Sequence, residues 1–116
     1  PTETTNERPT KPQSMKLKEN VRILGVRPEV VLGMLITDST MSELGFPCVI
    51  TSVTEGTHSR GSIHYAGGAW DVRIRNIPDD DWPNLVSSLK QALGEDFDIV
   101  LESDHIHCEF QPKNPY

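Results

Sequence analysis

From residue 28 onward the apolar positions fall into runs with a readable period. Val30, Val31, Met34, Leu35, Met41 and Leu44 return at intervals of three and four for much of 28–44, the spacing of one helical face. Pro28 suits a first helical turn and Gly45 a C-terminal cap, so a helix is predicted over 28–44, weakened by Gly33 and by the Thr-Asp-Ser-Thr stretch at 37–40. "FPCVITSV" (46–53) reads as a buried strand, and 54–61, punctuated by Gly56 and Gly61, as a loop. "AWDVRIR" (69–75) alternates strictly, with Trp70, Val72 and Ile74 on one face and Asp71, Arg73 and Arg75 on the other, the mark of a half-buried strand. A second helix over 80–93 starts among aspartates that suit a cap, carries Leu85, Leu89 and Leu93, and stops at Gly94. "DFDIVLE" (96–102) and "HIHCEF" (105–110) are two further strands, and "NVRILGV" (20–26) is either a short strand or a docked segment. Helix, strand, strand, helix, strand, strand predicts an α+β fold: an antiparallel sheet with helices packed on one side.

Composition narrows the partners. The chain has 116 residues, which favours one domain, and a formal net charge of -6 with no basic stripe, which argues against nucleic acid and against anionic membranes. No apolar run approaches the roughly 20 residues that span a bilayer. Residues 1–15 are polar and rich in Pro and Thr, the composition of a disordered tail, leaving 16–116 as the folded domain. No hydrophobic leader is seen, so synthesis in the cytoplasm without a signal peptide is expected. Cys48 and Cys108 lie in apolar runs and read as reduced core thiols, with a pairing between them left open.

Three of the four histidines fall in two short stretches, "SRGSIHYAGGAWD" (59–71) and "ESDHIHCEF" (102–110), each beside carboxylates. Strand alternation puts His105, His107 and Glu109 on one face and Ile106, Cys108 and Phe110 on the core face. Should the two strands share a sheet, Asp71 joins His105 and His107, and His64 approaches from the glycine-flanked segment before it. Nitrogen and oxygen donors in this number suit a catalytic zinc ion with one position left for water. A three-histidine set of His64, His105 and His107 fits the same pattern. Glu102 and Asp104 are the nearby carboxylates able to take a proton. In an ideal strand both share the parity of Ile106 and point away from the metal. A bulge or turn at Asp104 would swing its carboxylate back.

"SIHYAGGAWD" fits the pattern S-x-H-x-x-G-x-A-x-D at Ser62, His64, Gly67, Ala69 and Asp71, and "DHIH" fits the second signature of the same group. Over about 46–110 the chain resembles the zinc D-Ala-D-Ala carboxypeptidase / L-alanyl-D-glutamate endopeptidase family (peptidase family M15), whose fold is shared with the Hedgehog signalling domain. The resemblance implies zinc held by His64, Asp71 and His107, with His105 as the neighbouring histidine that stabilises an oxyanion. It implies Asp104 as general base, with Glu102 in reserve because the Hedgehog-like spacing is one residue shorter here. Ser62 belongs to the motif and is expected near substrate. Many relatives place an arginine before the first motif to grip a substrate carboxylate. Here Glu55 stands in that region, and Arg60 is the substitute. This departure favours endopeptidase action over carboxypeptidase action on peptidoglycan stem peptides. Small members without a secretion signal resemble phage or prophage lytic enzymes, or endolysins, which implies a monomer acting on the bacterial cell wall once released. The rival expectation is a Hedgehog-like binding module, or a structural phage protein, that keeps zinc without catalysis. His58 reads as a plain loop histidine, and Trp70 and Trp82 as packing residues.

Overall fold

Trp70, Val72 and Ile74 are fully buried, while Asp71 and Arg73 between them are only half-buried, so the alternation read in the sequence is the pleat of a real strand. The structure, a computed structural model, describes residues 15–53 and 68–113. In chain order it contains β1 (Lys16–Leu17), α1 (Pro28–Glu43), β2 (Val49–Ser52), β3 (Ala69–Arg73), a 3-10 turn (Asp79–Asp81), α2 (Trp82–Leu93), β4 (Phe97–Leu101) and β5 (His105–Phe110). The tail expected at the N-terminus and the loop expected at 54–61 lie outside the described residues, apart from Met15.

The strands form one five-stranded sheet in the order β1-β2-β3-β5-β4. Three of its pairings are antiparallel, but β1 runs parallel to β2, so the sheet is mixed and not the antiparallel sheet expected. The difference comes from two residues too short to show a period. Lys16 N donates to Cys48 O (3.0 Å) and Lys18 N to Ile50 O (2.8 Å). Residues 20–26 form turns and no strand, and Val21 and Val26 pack partly buried against the core, as a docked segment does.

Both helices share one core with the sheet: Val30, Met34 and Met41 of α1, Leu85, Leu89 and Leu93 of α2, and Trp70, Val72, Ile99, Ile106 and Cys108 of the strands form one buried cluster. The two residues that weakened the sequence case for α1 have structural tasks. Gly33 gives room to the Trp70 ring, because a Cβ there would sit 2.4 Å from Trp70 Cη2. Thr37 is fully buried, and its hydroxyl donates back to Gly33 O at 2.8 Å, which satisfies it inside the helix. Gly45 follows the Leu44 cap at φ +85, the left-handed position where glycine ends a helix. The aspartates before α2 do not cap it with side-chain hydrogen bonds, as had been expected; they form the 3-10 turn and place negative charge at the helix N-terminus. Trp82 closes that turn, donating Nε1–H to Ile77 O at 3.0 Å. Cys48 and Cys108 are buried free thiols. No helix among the described residues is long and apolar enough to cross a membrane.

Candidate metal centre

The ladder between β3 and β5 brings the two sequence stretches together. Asp71 pairs with His107 and Arg73 with His105, so all four side chains share the sheet face opposite the core. Neither helix reaches this face: α1 and α2 both pack into the core cluster on the other side. The fully buried neighbours Trp70, Val72, Ile106 and Cys108 hold the backbone of both strands, and the pleat then fixes where the polar residues stand.

At the centre of the face is His107. Its Nδ1–H donates to Asp71 Oδ1 at 2.9 Å and its Nε2–H to Glu109 Oε1 at 2.8 Å. An imidazole that donates from both nitrogens is an imidazolium. The hydrogen bond to Asp71 is the main cause that raises its pKa to about 9, helped by Glu109 and by both negative charges, against partial burial. Glu109 is itself steadied by Gln111, whose Nε2 donates to Oε2 at 2.8 Å. His105 stands beside this group, with Nε2 3.7 Å from Asp71 Oδ1 and Nδ1 donating to Asp104 Oδ1 at 2.7 Å. The side chains of Asp71 and His107 keep only 15% and 21% of their exposure, whereas Asp104 keeps 81%. The central pair is therefore partly shielded, and the outer carboxylate reaches in from water.

The turn at Ser103 and Asp104 corrects one parity. Counted as a continuous strand, Glu102 belongs with Ile106. Instead the chain reverses there, and Glu102 N donates to His105 O at 2.8 Å. Directly paired residues share a face, so Glu102 stands with His105 on the outer side. Asp104 reaches the His105 ring from the turn, and Glu102 is paired with His105 through the backbone. His64, Ser62 and Arg60, and with them His58 and Glu55, lie outside the described residues.

Among the described residues no group of three or more His, Cys, Asp or Glu side chains is arranged to hold a metal ion. The donors that are described fit part of a zinc set. Adjacent ligands of a tetrahedral zinc, bound at 2.0–2.2 Å, stand about 3.3 Å apart, and Asp71 Oδ1 and His107 Nδ1 are 2.9 Å apart. Zinc at Nδ1 would leave Nε2–H on Glu109, the carboxylate–histidine–metal arrangement that fixes the ring and raises its basicity. Glu109 is the residue that the sequence reading placed on this face without giving it a role. Its position two residues after His107 was the available signal. Arg73 is the second. It stands on this face directly opposite His105. Cys108, fully buried on the opposite side, is no part of the donor set.

Comparison with protein-family models, with curated proteins and with solved structures finds no match.

Proposed function

We propose that this chain is a zinc-dependent metallopeptidase that cleaves peptidoglycan stem peptides, of the L-alanyl-D-glutamate endopeptidase or D,D-carboxypeptidase type, with a phage or prophage lytic enzyme as its setting. The observation that carries the reading is the convergence of Asp71 and His107 across the β3–β5 ladder, with His105 and its carboxylate partner on the same face. This is the juxtaposition that the M15-like motifs require of residues 36 positions apart. Asp71 and His107 would hold zinc with His64. Bound zinc supplies Lewis-acid chemistry, activating water and polarising a carbonyl.

The rest falls to the chain's own groups. Glu109 orients His107 through Nε2. His105 presents Nε2 toward Asp71 and is positioned to donate to a developing oxyanion. Asp104, hydrogen-bonded to the other nitrogen of that ring, would take a proton from the attacking water and return it to the leaving amine, with Glu102 across the hairpin as the alternative base. Arg73, opposite His105, offers a second guanidinium to a substrate carboxylate alongside Arg60, which lies outside the described residues.

The test is digestion of purified peptidoglycan, read by mass spectrometry of the released muropeptides, with zinc-loaded and chelated protein. Zinc-dependent release of stem-peptide fragments supports the reading. Absence of any released fragment, in protein carrying one zinc per chain, refutes catalysis and leaves a zinc-containing binding module.

A further inference from the structure

Glu109 holds the His107 ring, and Glu109 is itself held. Its oxygens are divided between two neighbours: Oε1 accepts from His107 Nε2–H and Oε2 from Gln111 Nε2, each at 2.8 Å. The terminal torsion of a glutamate is soft, so the second bond is what keeps the carboxylate from turning. Its ladder partner works against it. Asp98 lies directly opposite Glu109 on the same face, and like charges so placed repel. Lys113 answers that charge, its Nζ donating to Asp98 Oδ1 at 3.1 Å. The segment that carries Gln111 and Lys113 is fastened to the start of β4. Gln111 N donates to Asp96 O at 2.7 Å and Lys113 N to Asp96 Oδ1 at 3.0 Å, while Lys113 Nζ also donates to Gln111 O at 2.9 Å.

We propose that Gln111 and Lys113 are positioning residues for the metal centre, which hold the Glu109 carboxylate on His107 Nε2–H so that Nδ1 is the nitrogen offered to the metal. The inference rests on the zinc reading above and adds the residues that choose the nitrogen. The hydrogen bond at one nitrogen of an imidazole decides which nitrogen a metal takes. Asp71 stands beside Nδ1, at 2.9 Å, so only that choice brings both ligands to one ion. The residue types fit the task. The neutral amide of Gln111 donates to Oε2 without competing with His107 for the carboxylate charge, as a lysine or arginine there would. The cation is set instead on Asp98, where it removes repulsion and leaves Glu109 to the histidine. The Lys113 and Asp98 side chains are 45% and 48% exposed. Such a pair adds little stability of its own, so the effect of Lys113 falls on Glu109.

Two measurements on the full chain test the proposal: zinc affinity by competition with a chelator, and the imidazole N–H signals of His107 by NMR in the metal-free protein. Gln111→Ala should weaken zinc binding about three- to tenfold, less than Glu109→Gln does, and should speed solvent exchange of the Nε2 proton. Gln111→Glu donates nothing and adds a third carboxylate, so it should weaken binding further. Lys113→Met should weaken it about two- to threefold with little change in Tm, and Lys113→Arg should restore the wild-type value. In a Glu109→Gln background, Gln111→Ala should have little further effect, because it acts through that carboxylate. Wild-type affinity and an unchanged Nε2 proton in Gln111→Ala overturn the inference. So does an equal loss in both backgrounds, which marks a general loosening of the strand end. A wild type that takes up no zinc overturns the reading of the site instead, and the Nε2 proton then decides alone whether Gln111 and Lys113 hold the ring.

Discussion

Replacing Gly33 by alanine sets a favourable term against an unfavourable one, and the structure gives the sign. In a helix interior, alanine is better than glycine by about 1 kcal/mol. The added Cβ, however, would lie 2.4 Å from Trp70 Cη2 and 3.0 Å from both Trp70 Cζ3 and Phe97 Cε2. Carbon atoms rest at 3.5–4.0 Å, so the Trp70 ring must withdraw by about 1 Å. It has little freedom to do so. Trp70 is fully buried, its ring meets Phe97 edge-on at 5.8 Å, and Phe97 in turn packs on Phe110 at 5.3 Å. Overpacking of this kind costs about 1–3 kcal/mol, and a rigid aromatic at the point of contact puts Gly33 toward the upper end. The net effect is destabilisation by about 1–2 kcal/mol, a fall in Tm of roughly 4–16 °C at about 4–8 °C per kcal/mol. Thermal unfolding by circular dichroism measures the fall, and near-UV dichroism reports the movement of Trp70. Ser39→Ala, on the exposed side of the same helix, should be neutral or slightly stabilising. A Gly33→Ala protein as stable as the wild type, with an unchanged near-UV spectrum, would refute the argument that Gly33 is there for the ring.

Further outcomes follow from the site and the core. Glu109→Gln should retain the fold and lower zinc affinity by about 10–100-fold, the usual effect of removing a partner of a liganding histidine; titration with a competing chelator measures it. Asp104→Asn should keep zinc and lose about 10²–10⁴-fold in peptide hydrolysis, with a smaller loss for Glu102→Gln; the reverse ranking makes Glu102 the base. Burial, with a smaller contribution from Asp38, pushes the Cys48 thiol up to about 12 from 9.0. The folded state therefore holds that proton more tightly than the unfolded chain. Its contribution to stability is complete below pH 9 and is lost as pH rises toward 12. Unfolding midpoints between pH 8 and 11 should fall less steeply for Cys48→Ala than for the wild type, and thiol reagents at pH 8 should not label native Cys48.

The parts of the fold that are legible in the sequence are those where a period repeats. The two faces of β3 and β5 follow from spacing alone, because burial on one side forces the other side outward. α1 follows only in part: Val30, Met34 and Met41 are buried as their spacing predicts, while Val31 and Leu35 of the same run are exposed and Gly33 and Thr37 take their place in the core. Three features escape for physical reasons. β1 has two residues, and no period exists at that length, so the parallel pair that makes the sheet mixed leaves no mark. Glu102 changes face because the chain reverses within Ser103–Asp104, and parity does not carry through a turn. Glu109 and Arg73 stand on the face that alternation assigns them, but their use depends on which side chains β3 and β5 set beside one another. That register is a tertiary fact.

The pleat of β3 and β5 makes this chain a two-sided fabric whose sides answer to different demands. Trp70, Val72, Ile106 and Cys108 are answerable to folding, and Asp71, Arg73, His105, His107 and Glu109 to whatever the protein meets. Since neither α1 nor α2 leans on the second set, its members are interchangeable at less cost to the first than core residues are. A lineage could therefore change the chemistry or the partner of this face by substitutions on one cloth side while the weave stays as it is. A designer could randomise those five positions and read chemistry instead of collapse.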